Sequence, residues 1–177
     1  APSIYDKYLR AHMALLNGAD LVLEIPPAFA VSSAKEFASC AVSLLDRLGT
    51  VSHICFGSEC GDIRSLANLA DILFEEPASL SQSVKRHLAA GFSYPRALNM
   101  ALTSCLPPQE YTDSLSSLLS SPNNVLGIEY LNAIRKRGSS IIPITVSRIG
   151  AGYHDQELDS AFSSASAVRR TIMEHQE

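Results

Sequence analysis

Several signatures are missing from this chain: no Cys-x-x-Cys pair, no Walker-type glycine-lysine loop, no Gly-x-Gly-x-x-Gly and no Gly-x-Ser-x-Gly. Without paired spacing, Cys40, Cys55, Cys60 and Cys105 do not make a zinc site, and they read as buried free thiols in a reducing cytoplasm. The missing glycine loops exclude a P-loop or a dinucleotide fingerprint. The missing serine elbow excludes an α/β-hydrolase nucleophile. Any phosphate site here is of another type. Charge is scarce too: 18% of residues are Asp, Glu, Lys or Arg, against about 25% in average domains. A disordered or coiled-coil chain is thereby excluded. The net charge of -4 argues against whole-domain attraction to nucleic acid and leaves only local basic patches, Arg135-Lys-Arg137 and Arg169-Arg170. No apolar run reaches the roughly 18 residues that span a bilayer, and no signal peptide is visible, so a soluble cytoplasmic protein without membrane contact is expected.

What is present suits a packed domain. The 177 residues are 46% hydrophobic, enough for one domain, 1–177, with a proper core. Ser3-x-x-Asp6 looks like a capping box opening a helix that Gly18 stops. Ser33-Ala-Lys-Glu36 is a second box, with Phe37, Ala41, Leu44 and Leu48 on one stripe before Gly49. Leu21–Ile25, Val51–Phe56 and residues 141–147 are short apolar runs that read as strands. Asp62 can cap a helix, residues 77–104 read as two helices, 114–121 is ambiguous, and Asn124 to Arg137 is helical. Strands alternate with helices and are near-continuously apolar, the pattern of a parallel sheet covered on both faces. Three strands are few for a doubly wound fold, and the first element is a helix; a βα portion preceding Ala1 would repair both faults.

Chemistry collects where the predicted strands end, the edge at which open α/β sheets bind ligands. Arg148-Ile-Gly-Ala-Gly-Tyr-His-Asp155 follows the third strand. Its glycines admit close backbone approach, and Arg148 can grip a phosphate or carboxylate as a fork. His154 could bind or relay protons, or only bond backbone. Phe56-Gly-Ser-Glu-Cys-Gly-Asp62 follows the second strand; it is either a ligand loop or a turn with Asp62 as cap. Glu24-Ile-Pro-Pro27 reads as a plain strand exit. Pro122-Asn-Asn124 opens a helix, as a cap or a ligand contact. The stretch 163–170 places serines and arginines at a helix start, where free N–H groups hold phosphate and where arginine is otherwise unfavourable to the dipole.

Taken together and in order, the segment from Asp6 to Pro26, Phe56-Gly-Ser-Glu59, Pro122-Asn-Asn-Val-Leu-Gly-Ile-Glu-Tyr130, the Arg148–Asp155 loop and Ser164-Ala-Ser-Ala-Val-Arg169 resemble the bacterial tRNA(Met) cytidine acetate ligases. The resemblance implies an α/β fold, a Rossmann-like parallel sheet of nucleotidylyltransferase type with a helical insertion at about 77–120. It implies a ligase that uses ATP, with Mg2+, to turn acetate into acetyl-adenylate and then acetylates N4 of the wobble cytidine of elongator tRNA(Met). Gly57, Asn123 (more than Asn124) and Arg148 would bind ATP, and Ser164, Ser166 and Arg169 would hold phosphate. Ser166 and Val168 replace the threonine and isoleucine of the family's phosphate motif, keeping a hydroxyl and an apolar anchor. The family's H-x-G-H, which would supply the catalytic histidines, does not occur in these 177 residues. The expectation is therefore a fragment without the N-terminal H-x-G-H segment and the C-terminal domain, itself weak or inactive as a ligase. Its alternative is a non-catalytic nucleotide- or RNA-binding module.

Overall fold

The computed structural model describes residues 3–75, 77–105, 113–147 and 165–174. The chain divides into two compact units, Ala1–Ile25 with Ile149–Glu177, and Pro26–Arg148.

The first unit contains helix α1 (Lys7–Leu16) and helix α9 (Ala165–Glu174). Asp6, not Ser3, caps α1, its carboxylate accepting the Leu9 N–H at 2.8 Å. The box predicted from Ser3 thus starts one turn too early, because Asp6 is itself a good cap. Gly18, at φ +100°, ends the helix as its lack of a Cβ allows. Leu21–Ile25 is not a strand: no ladder forms along it among the described residues, and Leu21, Val22 and Leu23 are exposed. Strand propensity without a partner leaves the backbone groups unpaired, and the segment stays irregular. Lys7 Nζ bonds both carboxylate oxygens of Glu24 at 2.9 Å.

The second unit runs α2 (Pro27–Ala30), α3 (Ala34–Leu48), β1 (His53–Ser58), α4 (Ile63–Glu75), α5 (Ala78–Ala89), α6 (Tyr94–Cys105), α7 (Asp113–Ser120), α8 (Pro122–Arg137) and β2 (Ile142–Ser147). Ser33 caps α3 and Gly49 closes it in the left-handed conformation, as the sequence predicts. The short α2 is new; its Pro27 sits at the first helical position, where a missing N–H costs nothing. The ambiguous serine-leucine stretch is α7, so the described part of the predicted insertion is built from the helices α5, α6 and α7.

β1 and β2 pair in parallel, His53 opposite Ile142 and Ser58 opposite Ser147. Helix α8 packs on one face of this pair. There Gly127 lets the Phe56 ring approach the helix backbone, and Phe56 meets Tyr130 at 5.5 Å between centroids. Among the described residues the other face is left open: Cys55 and Gly57 are exposed, and Ile142, Ile144 and Val146 are 54%, 44% and 55% accessible. The expectation of a sheet covered on both faces is met on one. None of the cysteines is fully buried either: all four are free, Cys55 is exposed and the others are half-buried. The strand alternation that turns Ile54 inward turns Cys55 outward.

Two apolar clusters meet on α8. One gathers Leu66 and Leu69 of α4, Leu102 of α6 and Leu119 of α7 around Ile128 and Leu131. The other joins Val42 of α3 and Ile54 of β1 to Ala133 and Ile134. Apolar residues almost encircle α8, which is how a helix buried between layers should look.

Candidate functional site at the carboxyl edge of the sheet

The loop after β1 and the first turn of α8 are tied to each other by reciprocal hydrogen bonds. Glu59 Oε1 accepts the Asn123 side-chain N–H at 2.8 Å and its backbone N–H at 3.4 Å, while Oε2 accepts the Asn124 N–H at 3.0 Å. In return Asn124 Oδ1 accepts the backbone N–H groups of Glu59 and Cys60 at 3.0 and 3.1 Å. Helix α8 begins at Pro122, and Ser121 makes no side-chain cap. Its free amides therefore take the Glu59 carboxylate from across the sheet edge, a charge the helix dipole also favours.

Below this clamp lies a hydroxyl pair. Ser58 is fully buried, and its Oγ lies 2.7 Å from Thr145 Oγ1 and accepts the Gly61 N–H at 3.0 Å. Thr145 Oγ1 donates to the Phe56 carbonyl at 3.1 Å. Gly61, at φ +62°, folds the loop onto the end of β2 so closely that a Cβ there would lie 2.6 Å from Ser147 Cβ. Asp62 then caps α4, accepting the Arg64 and Ser65 N–H groups at 3.0 and 3.2 Å. Hydrogen bonds from Ser65 above all, and from Arg64, hold its carboxyl below the usual Asp range.

The predicted site residues separate on this frame. Gly57 is exposed, and a Cβ added to it would meet nothing within 4 Å. Backbone at the ligand edge of a parallel pair is thus open on that side. Asn123 is half-buried and bonded to Glu59, while Asn124 is 2% exposed and turned into the loop. Ser58 and Glu59, read from sequence as ligand contacts or plain turn residues, hold the loop in place. Arg148 and Ser164 lie outside the described residues, as do His154 and Asp155. Ser166 and the half-buried Arg169 fall on α9, in the other unit. The basic patch 135–137 is partly consumed: Arg135 pairs with Asp71, and Arg137 pairs with Asp46 at 3.2 Å. The feature that sequence missed is Glu59 as the cap of α8. No local signal marks it, since Ser121 before Pro122 is itself a good capping residue and only the structure shows its hydroxyl unused as a cap.

A family model described as HIGH nucleotidyl transferase matches residues 1–177, the whole chain. The chain belongs to the HIGH nucleotidyl transferase family. Its relatives include a tRNA(Met) cytidine acetate ligase from Clostridium kluyveri, 44% identical over 177 residues, 99% of this chain and 43% of that protein. Another of the same name, from Acetivibrio thermocellus, is 45% identical over 97% of this chain and 40% of its own length. The fold is similar to Thermotoga maritima TmcAL without ligand, at TM-score 0.91 and 37% identity over 98% of this chain and 41% of that one. It is also similar to TmcAL bound with alpha-thio ATP, at TM-score 0.87 and 36% identity over 99% of this chain and 40% of that one. The nucleotidylyltransferase-type α/β fold is thereby established, mostly helical with a small parallel sheet. The chain spans about two-fifths of the length of these relatives.

Proposed function

We propose that this chain forms the ATP-binding part of a tRNA(Met) cytidine acetate ligase. One observation carries the reading: identity of 42–45% to ligases of that name across nearly all of its residues. The open backbone at Gly57, two residues before the Glu59 that bonds Asn123, supports it. The adenosine of ATP would lie against Gly57 on the bare side of the sheet, where the exposed Val146 offers an apolar surface. Asn123 would contact ATP through the half-buried amide that Glu59 steadies; the Asn124 side chain is already spent within the loop.

The amides of Asn123 and Asn124 already bond the Glu59 carboxylate, so a phosphate would gain little at the start of α8. Phosphate binding is assigned instead to Arg148, which follows the last residue of β2 in sequence, and to Ser164, Ser166 and Arg169. Magnesium would be held mainly by the phosphates and water. Acetate would attack the α-phosphorus and expel pyrophosphate. N4 of the wobble cytidine would then attack the acetyl carbon, and AMP would leave. Adenylation supplies the leaving group that acetate lacks, and arginine charge offsets the charge that builds on phosphate. No covalent enzyme nucleophile is required. Elongator tRNA(Met) and acetate are the partners of this reading. Among the described residues no helix is long and apolar enough to cross a membrane.

Calorimetric titration with ATP tests it. Wild-type chain should bind, and Gly57→Val and Arg148→Ala should each weaken binding about tenfold or more, the cost of about 1.4 kcal/mol. No ATP binding, or variants that match wild type, would overturn the reading. Acetate-dependent exchange of pyrophosphate into ATP, assayed after an N-terminal segment with H-x-G-H is joined ahead of Ala1, separates a ligase from a module that only binds nucleotide.

A further inference from the structure

A second cavity lies within Pro26–Arg148, away from the clamp. It has a volume of about 550 Å³ and opens among α3, α4, α5, α6 and α8. That size is within the range of small-ligand pockets. Its floor is aliphatic, with Leu80 and Leu98 buried and Leu73 and Val84 half-buried. Two aromatic rings stand at its mouth, Phe74 at 49% and Tyr94 at 57% exposure. Lys35, Lys85 and Lys136 come to it from three different helices. Among the described residues none of the three makes an ion pair within 4 Å. One wall includes Asn132, whose side-chain oxygen is buried and has no hydrogen-bond donor among the described residues.

These features define an occupant. Three lysines facing one opening call for negative charge. An orphaned buried carbonyl calls for an N–H donor, since leaving it unmade costs stability. Exposed aromatic rings beside an aliphatic floor call for a flat, apolar-faced group. A nucleotide with an unstacked base meets all three, and lysines spread around the mouth suit a strand that enters and leaves. Stacking on aromatics with backbone phosphates on cations is how single-stranded nucleic acid is held. Glu36 and Glu129 also line the cavity. Burial raises the Glu129 carboxyl, and Lys35 partly offsets this.

We propose that this cavity binds one unstacked nucleotide of single-stranded RNA, with its base between Phe74, Tyr94 and Asn132 and its phosphates on Lys35, Lys85 and Lys136. The choice of RNA over an acidic peptide rests on the function proposed above. Asn132 is nine residues beyond Asn123 on α8, about 13 Å at the helical rise.

Fluorescence anisotropy with a labelled single-stranded hexaribonucleotide, across a salt series, tests the site. The paired variant Lys85→Glu with Lys136→Glu should weaken binding at least about tenfold and flatten the log–log salt slope by about 1.4, two phosphate contacts at roughly 0.7 each. Phe74→Ala should weaken binding about fivefold or more. All three side chains are exposed, and circular dichroism should show unchanged folding. ATP titration should be unaltered in these variants. No hexamer binding by wild type, or variant affinities within twofold of it, overturns the site. So does AMP or hexaglutamate binding that the same variants abolish, which would make the occupant a free nucleotide or an acidic peptide. Unaltered ATP binding with unaltered RNA binding would sink this site alone; lost ATP binding in the wild type would sink the earlier reading.

Discussion

Replacing Asn124 with alanine should cost more stability than replacing its exposed-side neighbour Asn123. Asn124 Oδ1 accepts two backbone N–H groups, from Glu59 and Cys60, and the residue is 2% exposed. Alanine leaves both donors without that acceptor. A buried unsatisfied donor costs about 1–3 kcal/mol, and the low end applies because Glu59 and Cys60 are half-buried, so the expected loss is about 2–3 kcal/mol. In a domain of this size that is a drop of roughly 4–12 °C in melting temperature. Asn123→Ala removes one side-chain hydrogen bond to Glu59 and should cost about 1 kcal/mol or less. The two variants should part in function as well. Asn123→Ala should weaken ATP binding in a chain that is otherwise stable. Asn124→Ala should weaken it only through the slackened loop that carries Gly57. Urea denaturation with calorimetric ATP titration of both variants measures the difference. If Asn124→Ala unfolds within about 0.5 kcal/mol of wild type, or if Asn123→Ala is the less stable of the two, the clamp does not organise the loop and the reasoning fails.

Two further outcomes concern packing and pH. Gly127→Ala would place a Cβ 2.6 Å from the Phe56 ring; displacing a ring held by Tyr130 should outweigh the ~1 kcal/mol gained in helix propensity, for a net loss of about 1 kcal/mol by thermal melting. Glu129 has its carboxyl raised by burial, so the folded state holds its proton to higher pH than the unfolded chain does. The stability linked to that proton is full below the ordinary Glu value and is lost as pH rises through the raised one. Glu129→Gln should accordingly stabilise the chain at neutral pH and remove this part of the profile. Asp46 runs the other way: hydrogen bonds from Ser139 and then Arg137 lower it. Its contribution is present above the ordinary Asp value and lost as pH falls through the lowered one, and Ser139→Ala should shrink that loss in acid denaturation.

Much of the local structure was legible because it depends on neighbours in the chain. Ser33 with Gly49 bounds α3, and Gly91 follows α5, since caps and left-handed glycines act within a few residues. The β1 and β2 segments were legible as β-branched and apolar runs. Leu21–Ile25 was misread by the same signal, since a strand exists only with a partner and propensity does not supply one. Gly57 and Asn123 were readable as an edge constellation because parallel strands send their ends the same way. Asn124 and Glu59 were not. The sequence sets them 65 positions apart, and nothing local says which asparagine turns inward.

Taken alone, the sequence determined the fold class, the limits of helices such as α3 and the family resemblance, because caps, periodicity and ordered motifs are written in residue order. Only the tertiary structure decided that Glu59 caps α8 and that Asn124 is a brace. It also decided that Arg135 and Arg137 are spent on Asp71 and Asp46, and that lysines of three helices, without an ion pair within 4 Å among the described residues, line one cavity. The physical reason is common to all four. Hydrogen bonds and ion pairs act over about 3 Å in space, and they join groups that only the packing of distant segments brings that close.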